Sequence, residues 1–215
     1  ELAGVTKACC GHPAVARAML AGGANLLAES RLANVQRLRR AGIDCPIMML
    51  RLPSPAEAGE VVRLTQFSLN TQVVTVRALS RAAQAQGVEH RVILMVEAGD
   101  RREGVMPERV LAVAREIAAL PRIELAGLGV NVTCIGGVLP TRENTQLAVD
   151  LAEDVERALN RCLPVISAGN SATLALLLRG EMPARATQLR VGGALLIGEV
   201  DSTGDWPAAL PHQDA

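Results

Sequence analysis

A chain of 215 residues, 49% hydrophobic and 20% charged, is long enough to bury one sizeable core as a single α/β barrel or open sheet. Its 22 basic residues equal its 22 acidic ones, so no net charge draws it to nucleic acid or an anionic membrane. No apolar run approaches the roughly 20 residues that a spanning helix needs, and with Phe67 and Trp206 as the only aromatics, chemistry resting on a tyrosine of this chain is excluded.

Along the chain, short apolar runs alternate with segments of helical period. The runs cover 2–8, 25–30, 46–51, 66–71, 91–97, 123–133, 164–170 and 188–192. Runs apolar at every position read as parallel strands covered on both faces. Between them, 14–21, 32–41, 56–64, 73–86, 107–119 and 143–161 place apolar residues three and four apart, closing at Gly22, Gly42 or Gly87 or opening at Pro107. Strand starts recur at the spacing of a βα unit, which suits a (β/α)8 barrel and also a doubly wound open sheet.

The polar residues favour the barrel. Each run ends in one or two of them: Lys7, Glu29 with Ser30, Arg51, Asn70 with Thr71, Glu97, Asn131 with Thr133, Asn170 with Ser171, and Arg190. Polar groups at the carboxyl ends of all strands describe the active face of a barrel. Nothing in 197–215 reads as a helix that would cover the return from the last strand to the first, so an open seam between strands eight and one is expected. Residues 1–199 are expected to form the barrel and 200–215 a linker or tail toward a further C-terminal domain. The five cysteines, Cys9, Cys10, Cys45, Cys134 and Cys162, are odd in number, lack metal-ligand spacing and read as reduced thiols of a cytoplasmic protein.

Four stretches carry candidate chemistry. Lys7 is either a strand-end charge reaching solvent or a lysine held against apolar walls, deprotonated easily enough to form a Schiff base with a carbonyl. Ser167-Ala168-Gly169-Asn170-Ser171 is either a helix cap or one half of a phosphate site. Arg190-Val191-Gly192-Gly193 is either a turn or a place where backbone N–H groups approach an anion. These last two stand where barrels bind phosphate, after strands seven and eight. The loop from Glu97 to Gly104 is either a solvated charge run or the carrier of Arg102 as a fork for a carboxylate. A reactive lysine, a phosphate cradle and a carboxylate clamp on one face suggest an amino acid held on pyridoxal 5'-phosphate.

These residues resemble the alanine racemase-like, fold-type III pyridoxal phosphate enzymes, and within them the alanine/ornithine racemase branch. The resemblance runs from Val5-Thr6-Lys7 through Leu27-Ala28-Glu29-Ser30-Arg31, Met48 to Arg51, Leu94-Met95-Val96-Glu97, Arg102-Glu103-Gly104, Asn131-Val132-Thr133-Cys134 with Gly136-Gly137, and Gly169-Asn170-Ser171, to Leu189-Arg190-Val191-Gly192. It implies that Lys7 is the Schiff-base lysine and one of two racemisation bases. It implies that Ser171 and the backbone of Gly192 and Gly193 hold the phosphate, with Asn131 and Asn170 beside the cofactor. Arg190 then faces the ring nitrogen, and Arg102 the substrate carboxylate. Asn131 stands where alanine racemases have a histidine, Met95 where they have a modified lysine, and Cys9, Cys10 and His12 where they have a tyrosine.

The function the resemblance implies is interconversion of L- and D-amino acids, with ornithine, another basic amino acid or alanine as substrate, in a head-to-tail homodimer. A non-catalytic pyridoxal phosphate homeostasis barrel is the alternative, and a barrel for some other phosphorylated metabolite a third. Cys10, His12 and Cys134 are the second-base candidates inside the chain, while His90 and His212 carry no role. For a distal ammonium the acidic candidates are Glu29, Glu97, Asp100 and Glu103.

Overall fold

The structure, a computed structural model, describes residues 1–133 and 138–198. Each apolar run contains a strand: β1 (Leu2–Val5), β2 (Leu26–Glu29), β3 (Ile47–Met49), β4 (Phe67–Asn70), β5 (His90–Val96), β6 (Ile123–Val130), β7 (Val165–Ser167) and β8 (Leu189–Val191). All pair in parallel, each beside its sequence neighbour, and β8 lies beside β1. A bridge between Ser167 and Gln188 joins β7 to the residue preceding β8, where the Ala168 N–H donates to the Gln188 carbonyl at 2.9 Å. The result is the expected (β/α)8 barrel rather than an open sheet.

The seam lies elsewhere than expected. Strands β8 and β1 are paired in register, Leu2 with Leu189, Ala3 with Arg190 and Gly4 with Val191, so no gap opens there. Parallel pairing needs only two extended backbones in register, and a covering helix is not a condition of it. The least regular junction is β7 to β8, where a single bridge is joined by backbone bonds such as that from the Gln188 N–H to the Ile166 carbonyl at 3.1 Å.

Alternation along the strands separates two cores. In β5, Ile93 and Met95 join an inner cluster with Ala3, Val5, Ala28 and Leu69, while Val92, Leu94 and Val96 pack outward against the helices. The outer layer is α1 (Pro13–Ala21), α2 (Leu32–Arg40), α3 (Ala58–Leu64), α4 (Val73–Gln86), α5 (Pro107–Ala118), α6 (Arg142–Leu159), α7 (Leu174–Leu178) and α8 (Gly193–Ile197). Local chemistry sets their ends. Proline occupies the first turn of α1 and α5, Gly87 closes α4 in the left-handed region at φ 68°, and Thr141 exchanges capping bonds with Asn144 at the start of α6.

One glycine is required by close approach. The β5–β6 register slips between Val92 and Ile93, and a Cβ on Gly127 would lie 1.7 Å from the Val165 carbonyl oxygen. Among the described residues no helix is long and apolar enough to cross a membrane. The tail 200–215, with Trp206 and His212, lies outside the described residues.

Candidate active site

A cavity of about 720 Å³ opens at the carboxyl ends of the strands, within the usual size for a small-ligand site. Lys7 borders it from the β1 end, Arg102 and Glu103 from the loop after β5, and Asn131 from the end of β6. Asn170 and Ser171 follow β7, Arg190 lies in β8, and Gly192 with Gly193 follow it. Lys7, Arg102, Asn131, Asn170, Ser171, Arg190, Gly192 and Gly193, the residues read from the sequence as binding cofactor or substrate carboxylate, are therefore on one cavity.

Of the two settings expected for Lys7, the structure shows the solvent-reaching one. β1 stops at Val5, and Lys7 opens a 3-10 turn, Lys7–Cys9, which lifts its side chain off the apolar barrel floor into an exposed position on the rim. That turn is anchored from below. The Thr6 hydroxyl donates to Glu29 Oε2 at 3.0 Å, and the Gly11 N–H donates to the Thr6 carbonyl at 3.0 Å. Gly11 sits at φ +62°, where an added Cβ would come 2.9 Å from that of Asn34, so glycine is what lets the turn fold against α2.

Arg190 is buried, and the ends of two strands, β6 and β7, hold it. Nη1 donates to the carbonyl and the hydroxyl of Ser167, and Nη2 donates to the Val130 carbonyl at 2.7 Å and to Asn131 Oδ1 at 3.5 Å. Ser167 in turn donates to Gln188 Oε1 at 2.9 Å. Burial pushes the guanidinium down to about 10, opposed by the Glu103 charge, so it stays protonated at neutral pH. Asn170 ties the β6 and β7 ends together, its Nδ2 donating to Asn131 Oδ1 at 3.2 Å and to the Val132 carbonyl at 2.7 Å.

Beside Arg190, polar atoms from two loops converge. Ser171 Oγ accepts from the Gly192 N–H at 3.1 Å and from the Ala194 N–H at 3.2 Å. A Cβ on Gly192 would come 3.1 Å from that of Val5, so a side chain there would crowd the inner wall.

Residues 1–199 match the family described as alanine racemase, N-terminal domain. The chain belongs to that family. It is 34% identical to the ornithine racemase of Acetoanaerobium sticklandii over 202 residues, 94% of this chain and 57% of that protein. It is also 34% identical to the lysine racemase of Thermotoga maritima over 198 residues, 92% of this chain and 55% of that one. The chain thus spans about half the length of these curated relatives. Among solved structures, PipY of Synechococcus elongatus with PLP bound superposes with a TM-score of 0.74 over 91% of each chain at 22% identity, a likeness of fold.

Pyridoxal phosphate, the cofactor of that family, fits the residues present in this racemase-family barrel. A hydroxyl and two convergent N–H groups form a set that takes phosphate oxygens. A buried guanidinium with no carboxylate in contact among the described residues suits the unprotonated acceptor nitrogen of a ring. Lys7 supplies the amine on the same cavity.

Several expectations change. Cys10 and His12 do not border the cavity, and Cys134, with Gly136 and Gly137, lies outside the described residues. Glu29 is fully buried and saturated, accepting from Thr6, from the Ser30 and Arg31 N–H groups and from Asn34, so it is not available to a ligand. Sequence reading missed the donor role of the Ala194 N–H and the propping of Arg190 by Ser167, named only within the phosphate stretch, and Gln188. A glutamine and a serine at otherwise apolar strand positions were the available signal for the last two.

Proposed function

We propose that this chain is the pyridoxal phosphate-binding barrel of an amino acid racemase acting on a basic amino acid such as ornithine, and that it works as a homodimer. The observation that carries the reading is the joint placement of Lys7, the Ser171 cradle and the buried, carboxylate-free Arg190 on one cavity in a chain of this family. When bound, pyridoxal phosphate supplies an electron-withdrawing ring that acidifies the Cα–H of an amino acid.

The chain's own residues do the rest. The Ser171 hydroxyl and the N–H groups of Gly192 to Ala194 bind the phosphate. Arg190, which keeps its proton at neutral pH, would act as a donor to the ring nitrogen and not as a proton acceptor. Asn131 and Asn170 hold Arg190 and the neighbouring loop in place. Arg102 turns its fork to the substrate carboxylate. The Lys7 Nζ takes the Cα proton, or returns it, on one face.

Inversion needs a second base on the other face. That Cys10 and His12 stand off the cavity supports a base from outside this barrel, as a head-to-tail homodimer would provide. Substitution Lys7→Ala tests the reading: cofactor binding should be lost while the circular dichroism spectrum and melting temperature stay unchanged, and retained binding would contradict it. Turnover of free D- or L-amino acids by the full-length protein separates a racemase from a non-catalytic cofactor carrier.

A further inference from the structure

We infer that Glu103 is the specificity residue of the cavity, receiving the distal ammonium of a basic amino acid whose α-carboxylate is held by the adjacent Arg102. This rests on the racemase reading above and names the residue that would select its substrate.

Charge frames the problem. Among the described residues, the cavity carries Lys7, Arg51, Arg102 and Arg190 against a single carboxylate, Glu103. A phosphate and a substrate carboxylate suit such a wall, but a second ammonium does not unless an acidic group meets it. Each other acidic candidate is occupied or elsewhere. Glu29 is buried and saturated. Glu97 Oε1 closes its own loop by accepting from the Gly99 N–H at 2.6 Å and the Arg101 N–H at 2.9 Å, and neither Glu97 nor Asp100 borders the cavity. Glu57 accepts from the Ser54 N–H and hydroxyl at 3.0 and 2.9 Å and lines a neighbouring hollow instead.

The loop presents Glu103 rigidly. Val105 bridges to Val96, its N–H donating to the Met95 carbonyl at 2.8 Å while the Glu97 N–H donates back to the Val105 carbonyl at 3.0 Å. A Cβ on Gly104 would sit 2.4 Å from the Glu97 nitrogen, so the chain doubles back against β5 only with glycine there. Glu103 Oε2 meets Arg102 Nε at 3.4 Å, which leaves the terminal nitrogens of Arg102 for a carboxylate. Glu103 Oε1 makes no hydrogen bond among the described residues. A carboxylate fork and an open carboxylate oxygen, offered by consecutive residues, match the two ends of a short α,ω-diamino acid.

The test compares ornithine with norvaline, which has the same carbon chain and lacks the distal amine. Calorimetric binding to the cofactor-loaded full chain should favour ornithine, and Glu103→Gln should remove that preference by about 10-fold or more, the worth of a hydrogen bond between charged groups. Glu103→Asp guards against a variant that fails to fold: it keeps the charge one methylene further back, so ornithine should still be preferred to norvaline while lysine gains on ornithine. An ornithine preference unchanged in Glu103→Gln, or a loss of ornithine and norvaline by the same factor, overturns the inference and leaves the racemase reading standing. Absence of both a Lys7 adduct and any amino acid binding overturns the two together.

Discussion

The two sides of the barrel are built on different principles. Around β5 and β6 the strands run seven and eight residues, pair through seven register positions, and bury the apolar faces of α4, α5 and α6 in one continuous cluster. Around β7, β8 and β1 the strands are three or four residues long, the buried cluster beneath α7 and α8 is only Ala168, Leu189 and Val191 among the described residues, and those two helices have five residues each. What closes that side is polar: Ser167, Gln188 and Arg190 bonded across the seam, with Arg185 clasped to Glu156 outside it. The phosphate cradle and the buried guanidinium sit on the side with least apolar packing. Short strands leave carbonyls and N–H groups free at their ends, and those groups are what the site is made of.

The largest expected effect is on the apolar side. Leu94→Ala opens a cavity among fully buried neighbours and should cost about 2–5 kcal/mol by urea unfolding, with cofactor affinity of the folded protein nearly unchanged. On the polar side the balance reverses. Arg190→Met strands the acceptors at Ser167 and Val130, costing about 1–3 kcal/mol in the same assay, and should abolish tight cofactor binding measured by absorbance titration. If Leu94→Ala weakened the cofactor as much as Arg190→Met, the division would not hold.

Acid separates the two sides further. His90, fully buried at the start of β5 against the Ser68 hydroxyl at 2.8 Å, is held down to about 4 by burial, opposed by the Thr65 backbone. Below its ordinary value of 6.5 the unfolded chain takes up a proton that the folded one refuses, so stability should fall between pH 6.5 and 4, by roughly 3 kcal/mol at most. Glu156 behaves later. Its bonds from Arg185 bring it down to about 2, so its contribution is present above its ordinary 4.5 and is lost as pH falls from there toward 2. The pair is bidentate, at 2.8 and 3.0 Å, but Arg185 is 40% exposed, so solvent screening limits Arg185→Ala to about 1 kcal/mol at neutral pH. That difference from wild type should vanish near pH 2, which chemical unfolding across a pH series would check.

The same division explains what was legible in the sequence. All eight strands stood out because a strand covered on both faces leaves an unbroken apolar run, and α4 was bounded correctly because Val73 and Gly87 bracket a clean helical period. The polar side was read less well. Five-residue α8 is too short for a period to show, and the seam was assigned to β8 and β1 because closure depends on which backbones meet, a fact no local pattern carries. Site residues were legible as polar groups ending apolar runs. For Lys7 the sequence left two settings open, and the exposed one follows from a turn fixed by Thr6, Glu29 and Gly11 rather than from the residues beside it. Nor could the sequence choose among four acidic residues, because the choice turns on backbone N–H groups that occupy Glu29 and Glu97.

The most direct test of the site is chemical. The protein is incubated with pyridoxal phosphate and reduced with borohydride, and the modified peptide is mapped by mass spectrometry. A pyridoxyl group on Lys7, absent in Lys7→Ala, is the predicted result. Lys7 is the single lysine of the sequence, so a folded sample with no adduct, or with the label on the amino terminus instead, would contradict the account.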